Sequence, residues 1–466
     1  MHTSTTSTDV LMPWSAQELA EATHGTWYKG RLPQTLVKRI LTNSRDAEMD
    51  DAFLALRGTR FDAHTFLPQL STQGCRIAIV EHPIETLEIY QLVVKNTRLA
   101  LGHLGAFRRQ ACRDLKVVAL TGSSGKTTTK EMLGSILSLL APTLVTRGNL
   151  NNDLGVPMML LELTQQHRYA VMELGANHQG EIAYTSGLVS PDVAGILNIG
   201  TAHLGEFGGR EGICRAKSEI YQHLNPFGCA IIPQKDDFTL KIQAHTQHLQ
   251  CLSFGQDGDV YATKIQLNPE STQFMLHTPQ GVSQIQLPFA GIHNVDNALA
   301  ATAFALALEV PLDVIAQGLA RAVAVKGRLN FIRKKQHLFI DDTYNANPTS
   351  MLAASKVLSQ QSGIKVLVMG DIGELGDTAV FEHQQLGQQL SQDNIDHIVA
   401  VGEYAHVVCA AATGTVPITA FETQAQARPY LIEMIKKHQP QTMSFLFKGS
   451  RFTHMETLMA DVMETL

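Results

Sequence analysis

A chain of 466 residues has room for about three domains, and 44 % hydrophobic with 17 % charged residues suits a globular protein rather than a disordered one. The formal net charge of −6 leaves no nucleic-acid footprint, so an anionic ligand has to be met by locally placed cations. Six cysteines without a C-x-x-C pair read as reduced cytoplasmic thiols, the start MHTSTTSTDVLMPW lacks signal-peptide character, and the longest apolar stretch, 298–308, is too short for membrane insertion.

The first hundred or so residues are mixed. Residues 52–56, followed by Gly58, read as a strand and turn, and 76–80 as a second strand. Ser44 and Arg45 precede the first strand, and Arg60, Phe61, Asp62 and His64 lie between the two. Taken alone, such polar residues are loop surface.

From Lys116 the pattern alternates between strand and helix. The stretch KVVALTGSSGKTTTKE, residues 116–131, passes from an apolar strand through a Gly/Ser loop into a helix. That order is a phosphate cradle. Gly122, Ser123, Ser124 and Gly125 let the backbone approach an anion, the helix start at Thr127 and Thr128 faces it, Lys126 supplies a point charge, and the Thr127 hydroxyl can hold Mg²⁺. The loop departs from G-x-x-x-x-G-K-[ST], because Leu120 stands five before Gly125.

Strand-like runs at 143–146, 169–174, 193–199 and 229–232 predict a parallel sheet covered by helices. Ligands of such sheets sit outside the carboxyl ends of the strands. Glu173 and His203 fall there beside the phosphate loop, and are read together as Mg²⁺ ligands, although either alone is ordinary. In the predicted helix 210–224, Ile213, Ala216, Ile220 and Leu224 trace an apolar stripe, and Lys217 lies inside it. A lysine there must snorkel, pair or be chemically altered. Residues 251–289 read as a β-meander. Gly291 then ends a strand, and Asn294 is either the N-cap of a small-residue helix, the preferred reading, or a nucleotide contact.

A second alternation starts near Lys326: LFIDD leads into TYNANP, KVLVMG into DIGELGD, HIVAVG into a helix and SFLFKG into SR. Asp342, Asp371 and Lys448 are again at carboxyl ends of strands.

The motifs TGSSGKTTTKE, VMELGANHQGEI, NIGTAHLGEFG, AKSEI, GIHNVDNALAA, KGRL, DDTYNANP, GDIGELG and KGSR occur in that order, and over nearly its whole length the chain resembles the Mur ligase family. Lys130, Glu131, the NLNN at 149–152 and YNANP resemble the branch that adds D-alanyl-D-alanine to a UDP-N-acetylmuramoyl-tripeptide; the DNPR of the diaminopimelate-adding branch is absent from the sequence.

The resemblance implies an α/β protein of three domains. An N-terminal UDP-substrate domain would span 1–112, a central P-loop ATPase domain with a parallel sheet 113–326, and a C-terminal Rossmann-like domain 327–466. ATP and Mg²⁺ are the implied cofactors. Lys126 would contact the β and γ phosphates, and Thr127, Glu173 and His203 would hold Mg²⁺. Lys217 matches the family's carbamylated lysine, whose new carboxylate helps hold a second Mg²⁺; with Lys126 and His203 it makes up the catalytic set. Asn294, Arg328, Asp342, Tyr344 and Asn345 match nucleotide-lining positions, and Ser44, Arg45, Asn151 and Asn152 the side that takes the UDP-linked peptide. Ser124, NSR at 43–45 and Ala63 depart from the usual family residues. The implied reaction proceeds through an acyl phosphate, in a cytoplasmic monomer that is open before nucleotide binds. Another Mur-type or a folylpolyglutamate-synthase-like amide ligase is the alternative, although the folate family resembles only the central and final parts.

Overall fold

The computed structural model describes residues 12–58, 61–201 and 204–466. Its organising strand is Lys116–Thr121, parallel to Tyr169–Glu173 on one side and to Val193–Ile196 on the other. Its alternation decides two cores. Val117 and Ala119 join the cluster on one face, Val118 and Leu120 the cluster on the other, and all four are fully buried because both faces are covered. Thr143–Val145 lies beyond Tyr169–Glu173, while Cys229–Pro233 and Gln250–Phe254 extend the opposite edge, completing six parallel strands. The chain reverses its direction of winding about Lys116–Thr121, so the crevice for a ligand opens where the phosphate loop leaves that strand.

The strand Gln250–Phe254 belongs to this sheet rather than to the expected meander. The meander proper is Tyr261–Leu267, Thr272–Thr278 and Gly281–Leu287, antiparallel, with Phe274, Leu276, Ile285 and Leu287 packed into the core that holds the helix Ile292–Ala307. The expected helix 210–224 is an α-helix only over Arg210–Ser218, tightening to a 3₁₀ turn at Glu219–Tyr221. Gly291 does not end a strand. At φ 90° it is the N-cap of Ile292–Ala307, so Asn294 lies inside the first turn and the cap reading is corrected.

The C-terminal sheet runs Asn330–Lys334, His337–Asp341, Met443–Lys448, Ile364–Gly370, His397–Val401 and Ile418–Phe421 in spatial order, only the first pair being antiparallel. The N-terminal sheet has five strands, with Thr26–Trp27 antiparallel at one edge. No helix among the described residues is long and apolar enough to cross a membrane. A Cβ built on Gly205 would lie 3.1 Å from the Gly376 backbone, so the central and C-terminal units touch beside the phosphate loop.

Candidate active site

The phosphate loop is held by the segment that follows Val193–Ile196. Asn198 Oδ1 accepts from the Ser123 and Ser124 amides at 3.1 and 3.0 Å, and Asn198 Nδ2 donates to the Ser124 carbonyl at 3.2 Å. The Gly200 amide donates to Ser123 Oγ at 2.9 Å. The helix Lys126–Leu137 then begins at Gly125, whose φ of +77° L side chains rarely adopt and whose added Cβ would sit 2.1 Å from Asn297 Oδ1. Gly125→Ala should therefore weaken ADP binding, measured by calorimetry, by about tenfold or more, because the left-handed backbone alone costs about 1–2 kcal/mol.

Lys126 Nζ donates to the Gly122 carbonyl at 2.7 Å, folded over its own loop. Thr127 Oγ1 donates to Glu173 Oε2 at 3.2 Å, and Asn151 Nδ2 to Glu173 Oε1 at 2.8 Å. The Glu173 amide is fixed in turn by Thr146 Oγ1 at 2.9 Å. Behind them Lys130 is buried, donating to the Thr146 carbonyl and, at 2.7 Å, to Glu131. Lys217 does not snorkel. It is 3 % exposed, and burial first, then the charge of Lys126, drives its amine well below the usual lysine range, with Glu173 opposing.

Two sizeable cavities meet at this loop, each within the range of small-molecule sites. One, of about 520 Å³, is lined by Ser123, Ser124, Gly125, Thr127, Thr128, Asn294, Arg328 and Asp342. The other, of about 640 Å³, is lined by Lys126, Thr127, Asn151, Asn152, Glu173, Lys217, Arg328, Tyr344 and Asn345. Thus the C-terminal unit contributes to both. Arg328 stacks on the Tyr344 ring at 4.3 Å, and its buried Nε has no hydrogen-bond partner among the described residues. Asn294 is held inside by a bond from its Nδ2 to the Ala290 carbonyl at 2.8 Å and one from Asn297 Nδ2 to its Oδ1 at 3.0 Å.

Lys448 Nζ meets Asp342 Oδ2 at 2.6 Å, both side chains being buried. Burial lowers the Lys448 pKa, and Asp342 opposes that shift. Lys448→Met should cost about 3–5 kcal/mol in chemical denaturation, because it strands a buried carboxylate.

An anionic nucleotide fits these residues: the orphaned Arg328 Nε, the glycine-permitted helix start and Lys126 converge on one loop. Mg²⁺ fits the hard oxygen donors of Thr127 and Glu173. No group of three or more His, Cys, Asp or Glu able to hold a metal occurs among the described residues, so phosphate oxygens and water would complete the shell. His203 lies outside the described residues.

Ser44 and Arg45 sit on a short 3₁₀ turn, Ser44–Asp46, and line neither cavity. Asn152 reaches the second cavity while its Oδ1 accepts from the Gly155 amide at 2.8 Å. Asp371 does a structural task, accepting from the Glu403 and Tyr404 amides at 2.7 and 3.1 Å. His383 is likewise buried, accepting from the Ile372 amide at 3.1 Å and stacking on Tyr404. Asn198 was not singled out from sequence. Its signal was a lone amide side chain at the carboxyl end of a parallel strand, in ILNIG.

A phosphate loop on a parallel sheet, with a second α/β unit that brings an arginine to the same cavities, defines a nucleotide-dependent phosphoryl-transfer enzyme. Residues 120–305 match the Mur ligase middle domain, and 327–451 match the domain described as Mur ligase, glutamate ligase domain. The chain belongs to the Mur ligase family. The UDP-N-acetylmuramoyl-tripeptide--D-alanyl-D-alanine ligase of Escherichia coli K12 is 41 % identical over 429 residues, covering 91 % of this chain and 93 % of its own. A crystal structure of MurF from Acinetobacter baumannii has 67 % identity and a TM-score of 0.95, covering 98 % of this chain and 100 % of its own. MurF ligase from Thermotoga maritima, in complex with ADP, has 27 % identity and a TM-score of 0.81, covering 91 % and 97 %.

Proposed function

We propose that this chain forms the amide bond between the terminal carboxylate of a UDP-N-acetylmuramoyl-tripeptide and the amine of D-alanyl-D-alanine, with cleavage of ATP to ADP and phosphate. It is an ATP-dependent C–N ligase of peptidoglycan synthesis. The observation that carries this reading is that Thr127 and Arg328 line both cavities, so a nucleotide on one side and a carboxylate on the other meet at the phosphate loop.

Both reactants of the first step are anions, and neutralising them is the first requirement. Arg328 supplies a cation at the shared wall and Lys126 one beside it, in the second cavity. Thr127 and Glu173, joined by His203 through the family resemblance, are the residues to hold Mg²⁺, which screens phosphate charge. Lys217, carbamylated, would add a carboxylate to that set. Asn294 and Asp342 line the nucleotide side, while Asn151, Asn152, Tyr344 and Asn345 line the acceptor side. Residues 1–112, with Ser44 and Arg45, are assigned the UDP moiety, 113–326 the ATPase centre and 327–466 closure over it. Closure excludes water, which protects an acyl phosphate from hydrolysis. The protein acts in the cytoplasm as a monomer.

The test is ADP release with each acceptor supplied separately and then together. Strict dependence on both the UDP-linked tripeptide and D-alanyl-D-alanine supports the ligase, whereas turnover indifferent to the acceptors would mark a slow ATPase or scaffold.

A further inference from the structure

Six successive amides, those of residues 123 to 128, run around the phosphate loop, and they divide into two groups. The Ser123 and Ser124 amides donate to Asn198 Oδ1 at 3.1 and 3.0 Å, and the Ser123 amide also reaches the Asn198 carbonyl at 3.2 Å. Ser124 Oγ donates to the same Oδ1 at 3.3 Å, and Asn198 Nδ2 returns a bond to the Ser124 carbonyl at 3.2 Å. One side chain therefore engages both backbone groups of Ser124, fixing two successive peptide planes. Among the described residues, the amides of Gly125, Lys126, Thr127 and Thr128 make no protein hydrogen bond, as expected for the first turn of Lys126–Leu137.

An anion is held by amides that converge on it, and convergence needs the peptide planes fixed before the ligand arrives. We propose that Asn198 is a positioning residue for nucleotide phosphates: by turning the first two loop amides inward it aims the next four at the anion. This rests on the nucleotide reading given above. Asn198 acts through the loop, and its half-buried amide borders the cavity that Ser123, Ser124 and Gly125 also line. The Gly200 bond to Ser123 Oγ, at 2.9 Å, ties the same loop to the segment leading towards His203, so phosphate-binding and metal-binding loops keep one register.

A purely structural role would weaken every ligand of the pocket alike, whereas a role in aiming amides weakens only ligands that carry phosphate. The experiment compares ADP with adenosine, in the presence of Mg²⁺, on the full chain and its Asn198→Ala and Asn198→Asp variants. Calorimetry reads ADP binding, ligand-observed NMR reads adenosine, and a thermal melt reads folding. Asn198→Ala is expected to weaken ADP about 10–100-fold, the scale of one or two hydrogen bonds to a charged ligand, and adenosine less than about twofold. Asn198→Asp keeps the shape and the acceptor but loses the bond to the Ser124 carbonyl and adds a negative charge. Its charge repels ADP whatever the loop does, so a charge-neutral Asn198→Gln variant, which displaces both amide atoms by one methylene, is measured beside it; Asn198→Gln should show the same selective loss, and it decides the matter if the alanine variant fails to fold. Unchanged ADP affinity, or equal weakening of ADP and adenosine, overturns the proposal. A parent chain that binds ADP no better than adenosine would instead overturn the nucleotide reading itself.

Discussion

Lys126→Ala lowers kcat for ligation by about 10³-fold or more, the scale reported by loss of a cation that stabilises transferring phosphoryl charge. Its hydrogen bond, 2.7 Å to the Gly122 carbonyl, is local to its own loop, so the variant keeps its fold and melts within a few degrees of the parent. Burial lowers the Lys126 pKa, Glu173 being the largest opposing influence. The amine is thus held in a place where water solvates it poorly and a phosphate would solvate it well. There is a second consequence. Lys126 is one of the charges that push the Lys217 pKa down, so the variant also removes that influence. Steady-state kinetics with both acceptors, beside a thermal melt, check this; retained activity in the folded variant would remove the loop from the reaction.

Lys217→Ala abolishes measurable ligation, and a short-chain carboxylic acid at high concentration restores part of it. The reasoning starts from burial. An amine 3 % exposed, on the wall of the acceptor cavity, is costly to keep charged, and its pKa falls accordingly. The neutral form is the one that would add CO₂: an N–C bond forms, one N–H proton leaves to solvent, and the product is a carboxylate. Carbamylated in this way, Lys217 would offer Mg²⁺ an oxygen ligand in place of an amine. A small carboxylate diffusing into the space vacated by Lys217→Ala supplies the same oxygens. Absence of rescue in a folded variant would mean that the lysine acts as an amine.

Much of this centre was legible because the chemistry is local. The loop at 121–127, the apolar strand before it and Glu173 at the end of its neighbour follow from periodicity and from where parallel sheets bind ligands. The inward placement of Lys217 was visible as a break in an apolar stripe, and it is buried. What the sequence hid depends on tertiary partners. The strand Tyr90–Val93 escapes a hydrophobic reading because it contains Gln91, whose buried amide bonds both the Ile84 amide and its carbonyl at 2.8 and 2.9 Å. Asn330–Lys334 and Ile418–Phe421 are edge strands and only partly buried, so neither shows a core run. Asn294 looked like a helix cap because asparagine favours that position, but Gly291, at φ 90°, starts the helix earlier. Asn198 and Arg328, whose Nε has no partner among the described residues, acquire meaning only when the phosphate loop is folded against them.

The most direct test of the central claim follows an oxygen atom. If the tripeptide carboxylate attacks the γ-phosphorus and the amine then displaces phosphate, one carboxylate oxygen must leave with that phosphate. With ¹⁸O in the terminal carboxylate of the UDP-linked tripeptide, mass spectrometry should find one ¹⁸O in each phosphate released as the pentapeptide forms. Unlabelled phosphate accompanying amide formation would contradict the acyl-phosphate route and the role given to the cavity wall shared by Thr127 and Arg328.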